Sequence, residues 1–152
     1  MFSQKPNVAI VGSTGAVGEA MVAILEQREF PVGTLYPLAS ERSAGKTLMF
    51  RQKAVSVKSL ESFDFSDVEI AFFSAGASVS AEYAVRAAAS GCVVIDNTSH
   101  FRNDPAIPLV VPEVNPNALS SHSGIIANPN CSTIQMVVAL KPIYDAVGIT
   151  RI

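Results

Sequence analysis

Short, uniformly apolar runs recur along the chain, each followed by small or polar residues and then by a segment of helical periodicity. Asn7 to Val11 (NVAIV) is β-branched and apolar, as in a strand buried on both faces. Behind it Val17, Ala20, Met21, Ile24 and Leu25 recur at spacings of three and four, which predicts one apolar stripe on a helix ending near Arg28. Thr34 to Ala39 (TLYPLA) predicts a second strand, and Lys46 to Val57 alternates loosely, as a hairpin or edge strand would. Glu69 to Phe73 (EIAFF) predicts a further strand, followed by a helix over Ser78 to Ser90 that Gly91 closes. Cys92 to Ile95 (CVVI) and Ile125 to Ala127 predict two more strands, and Cys131 to Ala146 a helix whose apolar face carries Ile134, Val137, Val138, Leu140 and Ile143. Pro105 to Pro116 holds four of the nine prolines and reads as an extended connection. Gly148 to Ile152 reads as a helix cap and the start of another strand, so a longer protein is expected; the alternative is a complete edge strand or a frayed tail. Three β-then-α alternations predict a doubly wound (Rossmann-like) α/β domain, a parallel sheet with helices on both faces.

Composition narrows the class. A chain of 152 residues is read as one domain, 1–152, and can hide about 70% of the surface its unfolded form exposes. With 49% hydrophobic and 16% charged residues it is not a disordered chain. Eleven basic against 13 acidic residues exclude binding of nucleic acid or an anionic membrane by bulk charge, so any bound anion must be gripped locally. Cys92 and Cys131, 39 positions apart, form neither a metal-ligand spacing nor a disulfide framework and read as reduced thiols. Met1 to Pro6 contains no leader core and no 18-residue apolar span follows, so a cytoplasmic protein is expected.

Three segments carry candidate chemistry. Gly12-Ser13-Thr14-Gly15-Ala16-Val17-Gly18 lies between the first strand and the first helix. Glycines there let backbone approach a pyrophosphate, and the first amides of the helix attract its charge. The G-x-x-G-x-x-G spacing is one residue longer than the common dinucleotide fingerprint. Where that fingerprint asks for an acidic residue to hold the ribose, this chain has Ser40-Glu41-Arg42-Ser43. Arg42 with its flanking hydroxyls suits a 2′-phosphate, favouring NADP over NAD, while the Glu41 carboxylate opposes it.

In the second segment, Asp96-Asn97-Thr98-Ser99-His100-Phe101-Arg102, Arg102 is a candidate phosphate or carboxylate clamp and Asn97 a candidate cofactor contact. In the third, Asn128-Pro129-Asn130-Cys131-Ser132-Thr133, a cysteine falls at the first turn of a helix, where free amides favour a thiolate nucleophile. Cys92, set in an apolar strand, reads as a core residue. His100 and His122 are possible bases that no spacing ties to Cys131, and His122 reads as a surface residue.

Taken in order, GSTGAVG, ASERSAG (39–45), FFSAGASVS (72–80), DNTSHFR (96–102), VPEVN (111–115) and NPNCSTIQ (128–135) resemble the aspartate-β-semialdehyde dehydrogenases along the whole chain. N-acetyl-γ-glutamyl-phosphate reductases are similar in architecture, but their cysteine sits in a G-C-Y-P-T setting absent here; a non-catalytic nucleotide-binding module is the other alternative. The resemblance implies NADPH-dependent reduction of β-aspartyl phosphate to the semialdehyde and phosphate, on the route to lysine, threonine and methionine. It implies Cys131 as the nucleophile that forms a thioester and Arg102 as the phosphate ligand. It places Gly12, Thr14, Gly15, Ala16 and Val17 along the cofactor pyrophosphate and Ser40, Arg42 and Ser43 at the 2′-phosphate. Ser74, Ala75 and Gly76 fall near adenosine, and Asn97 by the nicotinamide, with no metal. Family members are about twice this length, and the second half is expected to bring the general base, the remaining substrate contacts and a homo-oligomer interface.

Overall fold

The computed structural model describes residues 4–152; residues 1–3, part of the segment read above as lacking a leader core, lie outside the described residues. Six parallel strands form one sheet: β1 (Val8–Val11), β2 (Leu35–Ala39), β5 (Lys58–Ser59), β6 (Ile70–Phe73), β7 (Val93–Asp96) and β8 (Ile125–Ala127), in the spatial order β5-β2-β1-β6-β7-β8. The chain runs outward from β1 through β2 to β5, then returns to the other side of β1 and runs outward again through β6, β7 and β8. Numbered within this sheet alone, the order is 3-2-1-4-5-6, and the direction reverses between β1 and β6. All four residues of β1 are fully buried, Ala9 and Val11 in the apolar cluster on one face and Val8 and Ile10 in that on the other, and both neighbours pair with the strand in register, Val8 with Leu35 and with Ile70. The predicted doubly wound fold is the one observed.

The loosely alternating 46–57 stretch is a hairpin, β3 (Thr47–Phe50) and β4 (Lys53–Ser56), forming a separate two-stranded sheet. Its two-residue turn places Arg51 and Gln52 at φ +50° and +62°, the twist such turns require. Arg51 fastens the turn by donating from Nη1 to the Val32 carbonyl and from its amide to Glu26 Oε1.

Several expected faces differ. In α1 (Ala16–Gln27) the buried positions are Gly18, Val22 and Leu25, while Val17 and Ile24 are exposed. Gly18 lets the helix press onto the turn that precedes it, which rotates the helix away from the orientation its largest side chains predict. The second helix, α2, is continuous from Ala77–Val79 through a π turn, Ser80–Ala84, to Val85–Ala89. The wide turn sits where Ser80, fully buried, donates its hydroxyl to Asp96 at the end of β7.

The 105–116 segment is extended only around Leu109, which bridges to Ala127 beside β8; Asp104 and Asn115 fold the rest into turns. A 3-10 helix, Pro116–Ser121, follows. The last helix, α3 (Cys131–Val147), has no buried residue, so the expected core stripe is at most half-buried at Ile134, Val137 and Leu140 and exposed at Val138 and Ile143. Residues 149–152 form no strand; Ile149 and Ile152 instead share an apolar hollow with Val137, Leu140 and Tyr144. No helix among the described residues is long and apolar enough to cross a membrane.

Candidate active site

The turn after β1 is built by backbone geometry. Gly12 has φ +89°, and a Cβ there would lie 3.0 Å from the Ala75 amide nitrogen and from Ser74 Oγ across the switch point. The amides of Gly12 and Ser13 both donate to the Leu38 carbonyl, at 2.9 and 3.1 Å, and the buried Ser13 hydroxyl donates to it as well. Ser74 ties the neighbouring strand end in the same way, its amide and hydroxyl both donating to the Val11 carbonyl. α1 then starts from an extended Gly15, with no side chain capping it. The amides of its first turn therefore face outward from a 12-residue helix, over exposed Thr14, Gly15, Ala16 and Val17.

A cavity of about 360 Å³ opens beside this turn. Gly12, Thr14 and Gly15 form one wall, Ser74 and Ala75 another, and Ser40, Arg42 and Ser43 a third. The predicted adenosine-side residues are thus brought together. Glu41, which the sequence sets against a phosphate, does not line the cavity, whereas Arg42 and Ser43 do. Gly76 does not line it either; it stands at φ +107° at the start of α2, where its carbonyl accepts from the Ser80 amide. Sequence reasoning missed Leu60, Glu61, Val79 and Tyr83, which complete the cavity. Val79 and Tyr83 lie four apart on one face of α2, a spacing that could have marked them; Leu60 and Glu61 follow a two-residue strand that leaves no periodic trace.

The chemistry of the cavity fits a dinucleotide. Uncapped amides suit a pyrophosphate, an arginine and hydroxyls suit a ribose phosphate, and Leu60 and Val79 offer apolar contact for a base. A second cavity, of about 340 Å³ around Tyr36, Lys58 and Phe63, lies at the β5 edge and contains none of the glycine-turn, Ser40, Arg42 or Ser43 groups.

On the other side of the switch point, the ends of β7 and β8 form a polar cluster. Asp96, fully buried, accepts from Ser80 Oγ at 2.8 Å, the Thr98 amide at 3.1 Å and Thr98 Oγ1 at 2.8 Å. This carboxylate pins the turn that presents Asn97, whose Oδ1 accepts from Asn128 Nδ2 at 2.6 Å. Arg102, half-buried, donates from Nε to the Asn128 carbonyl and from Nη2 to the Asn97 carbonyl, both at 3.0 Å. One guanidinium thereby fixes the two strand ends relative to each other.

Two residues beyond Asn128, the side chain of Asn130 caps α3 by accepting from the Ser132 amide. Cys131 is the first residue of that helix and is exposed. Cys92 is buried, and burial pushes its thiol up to about 12, so it stays protonated and unreactive through the neutral range. His100 lies exposed, edge-on to Phe101. His122, expected at the surface, is half-buried because its Nδ1 accepts from the Gly124 amide.

Between β1, which carries the glycine turn, and β8, which leads to Cys131, lie three strand spacings, about 14 Å in all. The turn and Cys131 thus lie at the carboxyl edge of one sheet, on the two sides of its switch point. A parallel sheet in this order, with an uncapped glycine turn at its switch point, defines a dinucleotide-binding α/β domain.

The profile of the semialdehyde dehydrogenase NAD-binding domain matches residues 7–122, and the chain belongs to that family. It is 65% identical to aspartate-semialdehyde dehydrogenase 2 of Vibrio cholerae, over 99% of this chain and 45% of that protein. It is 63% identical to aspartate-semialdehyde dehydrogenase of Legionella pneumophila, over 99% of this chain and 44% of that one. The crystal structure of aspartate semialdehyde dehydrogenase II from V. cholerae, complexed with ASA, superposes at a TM-score of 0.94 with 65% identity, covering 96% of this chain and 48% of that one. The chain thus spans about half the length of the relatives it matches.

Proposed function

We propose that this chain is the NADP-binding, thiol-bearing unit of an aspartate-semialdehyde dehydrogenase, which reduces β-aspartyl phosphate to aspartate β-semialdehyde and phosphate. The observation that carries the reading is the placement of Cys131 at the opening of α3, on the same sheet edge as the glycine turn and next to strand ends locked by Arg102. Bound on that edge, NADPH supplies a hydride. The 65% identity to the Vibrio protein, and the names its relatives carry, support the substrate assignment.

In this reading the Cys131 sulfur attacks the acyl carbon, a C–S bond forms, and the C–O bond to phosphate breaks with phosphate leaving. Arg102 holds that leaving group, with its guanidinium already oriented by two backbone carbonyls. Once that thioester carbon is reduced, the C–S bond breaks, the aldehyde is released and Cys131 returns as the thiolate. Thr14, Gly15, Ala16 and Val17 would carry the pyrophosphate, Arg42 and Ser43 would take the 2′-phosphate, and Asn97, held by its pair with Asn128, would meet the nicotinamide end.

No hydrogen bond among the described residues ties either histidine ring to Cys131, so the general base and the contacts to the substrate's amino-acid end are sought outside these groups. They belong, in this reading, to a second half like that of the relatives, which also forms the homo-oligomer. The apolar surface of α3 supports such a neighbour: Met136, Ile143, Tyr144 and Val147 are 42%, 52%, 58% and 80% exposed. An exposed, unpaired thiol at Cys131 fits a reducing, cytoplasmic setting. Assayed alone, the 152-residue chain is expected to bind NADPH yet turn over β-aspartyl phosphate negligibly; a chain carrying both halves is expected to reach on the order of 10 per second. Turnover at that level by the 152 residues alone contradicts the division of labour.

A further inference from the structure

The cavity holds one carboxylate that the reading above leaves without a role. Glu61 follows β5, whose pairing with β2 joins Leu38 to Lys58 and Ala39 to Ser59, so it is delivered beside the Ser40–Ser43 turn. Its Oε2 accepts from the Ser59 hydroxyl at 2.6 Å. The Ser59 hydroxyl first, and then the backbone amide of Glu61 itself, favour its charge and keep its carboxyl below the ordinary range although the group is exposed. Lys58, the nearby cation in sequence, is not its partner: the ammonium lies over the rings of Tyr36 and Phe63, at 4.9 and 5.8 Å from their centroids. The cavity that offers Arg42 and Ser43 to a phosphate therefore also carries a negative charge held in place by Ser59.

We propose that Glu61 sets the balance between NADP and NAD, accepting the 2′-hydroxyl of NAD and opposing the 2′-phosphate that Arg42 attracts. Dinucleotide-binding folds commonly place such a carboxylate at the end of the second strand. Here that position holds Ser40 and Arg42, and the carboxylate comes from the end of the adjacent edge strand. The two groups pull in opposite directions within one cavity, so the site accepts both cofactors and prefers NADP by a reduced margin. Ser59 is a positioning residue in this arrangement, acting only through Glu61.

The inference rests on the dinucleotide reading, and the test separates the two. Titrate the chain with NADPH and NADH, following nicotinamide fluorescence, for the wild type, Glu61→Gln, Ser59→Ala and Arg42→Ala. Glu61→Gln is expected to tighten NADPH by about tenfold and to weaken NADH. Ser59→Ala is expected to move both in the same directions by less, and Arg42→Ala to move NADPH the opposite way. Glu61 is exposed, so Glu61→Gln leaves the fold intact, which circular dichroism checks. If the wild type binds both cofactors and Glu61→Gln changes the NADPH-to-NADH ratio by less than a factor of two, this inference is overturned and the dinucleotide reading stands. If the wild type binds neither, both fall.

Discussion

Replacing Cys131 with alanine, in a chain that carries both halves, is expected to lower kcat by at least about 10⁴-fold while leaving the thermal midpoint almost unchanged. The two expectations have separate causes. Loss of a nucleophile removes the covalent route itself, and nucleophile deletions elsewhere cost about this much or more. Stability is spared because the side chain is exposed and makes no contact that the fold needs; such surface changes usually stay within about 0.5 kcal/mol. Cys92→Ser should behave in the opposite way. It puts a hydroxyl into a site 1% exposed, amid Ala87, Val94 and Phe73, and so costs stability without touching the chemistry. Urea titration alongside steady-state kinetics for both variants checks the pair. Loss of activity in Cys92→Ser at unchanged stability contradicts the assignment.

Gly18→Ala is expected to be the most damaging single methyl group in the domain. A Cβ at Gly18 would lie 2.3 Å from the Gly12 carbonyl oxygen and 2.7 Å from Ser13 Cα, both backbone atoms that cannot swing aside. Alanine gains about 1 kcal/mol in helix propensity, which the clash outweighs. The expected net loss is about 2–4 kcal/mol, or about 5–15 °C in thermal midpoint for a domain of this size. Because the displaced atoms are those of the nucleotide turn, NADPH affinity should fall as well.

Gly15→Ala separates packing from ligand approach. Its Cβ meets the Gly12 oxygen at 3.4 Å, an ordinary contact, so stability should change by no more than about 1 kcal/mol. In the proposed reading the new methyl stands where the pyrophosphate approaches, so NADPH binding is expected to weaken. Equal midpoints for Gly18→Ala and wild type contradict the packing argument.

The same glycine shows why parts of the fold were legible in the sequence and others were not. β1 was readable because a strand buried on both faces needs apolar residues at every position, and β6 and β7, buried on one face and half-buried on the other, keep apolar runs up to their polar ends. The buried face of α1 was not, because Gly18 contributes no hydrophobicity and yet decides how closely the helix approaches; Val17 and Ile24 carry the signal and face outward. β5 left no pattern, being two residues whose role is set by the end of β2. Glu61 was missed with it, although it bears on cofactor choice. The site residues that sequence reasoning selected share one property: they lie directly after a readable strand. Arg102 and Asn128 were brought together by the pairing of β7 with β8, and only Arg102 could be singled out beforehand. The π turn of α2 traces to a contact between Ser80 and Asp96, 16 residues apart, which no local periodicity encodes.

The central claim is that the glycine turn and Cys131 serve one bound dinucleotide. The most direct measurement is the rate at which iodoacetamide alkylates each cysteine of the 152-residue chain, followed by peptide mass spectrometry with and without NADPH. The account predicts modification of Cys131 alone, with Cys92 protected by burial, and a slowing of about tenfold when NADPH is present at about ten times its dissociation constant. An unchanged rate at Cys131 in the presence of bound NADPH, or alkylation that falls first on Cys92, would contradict it.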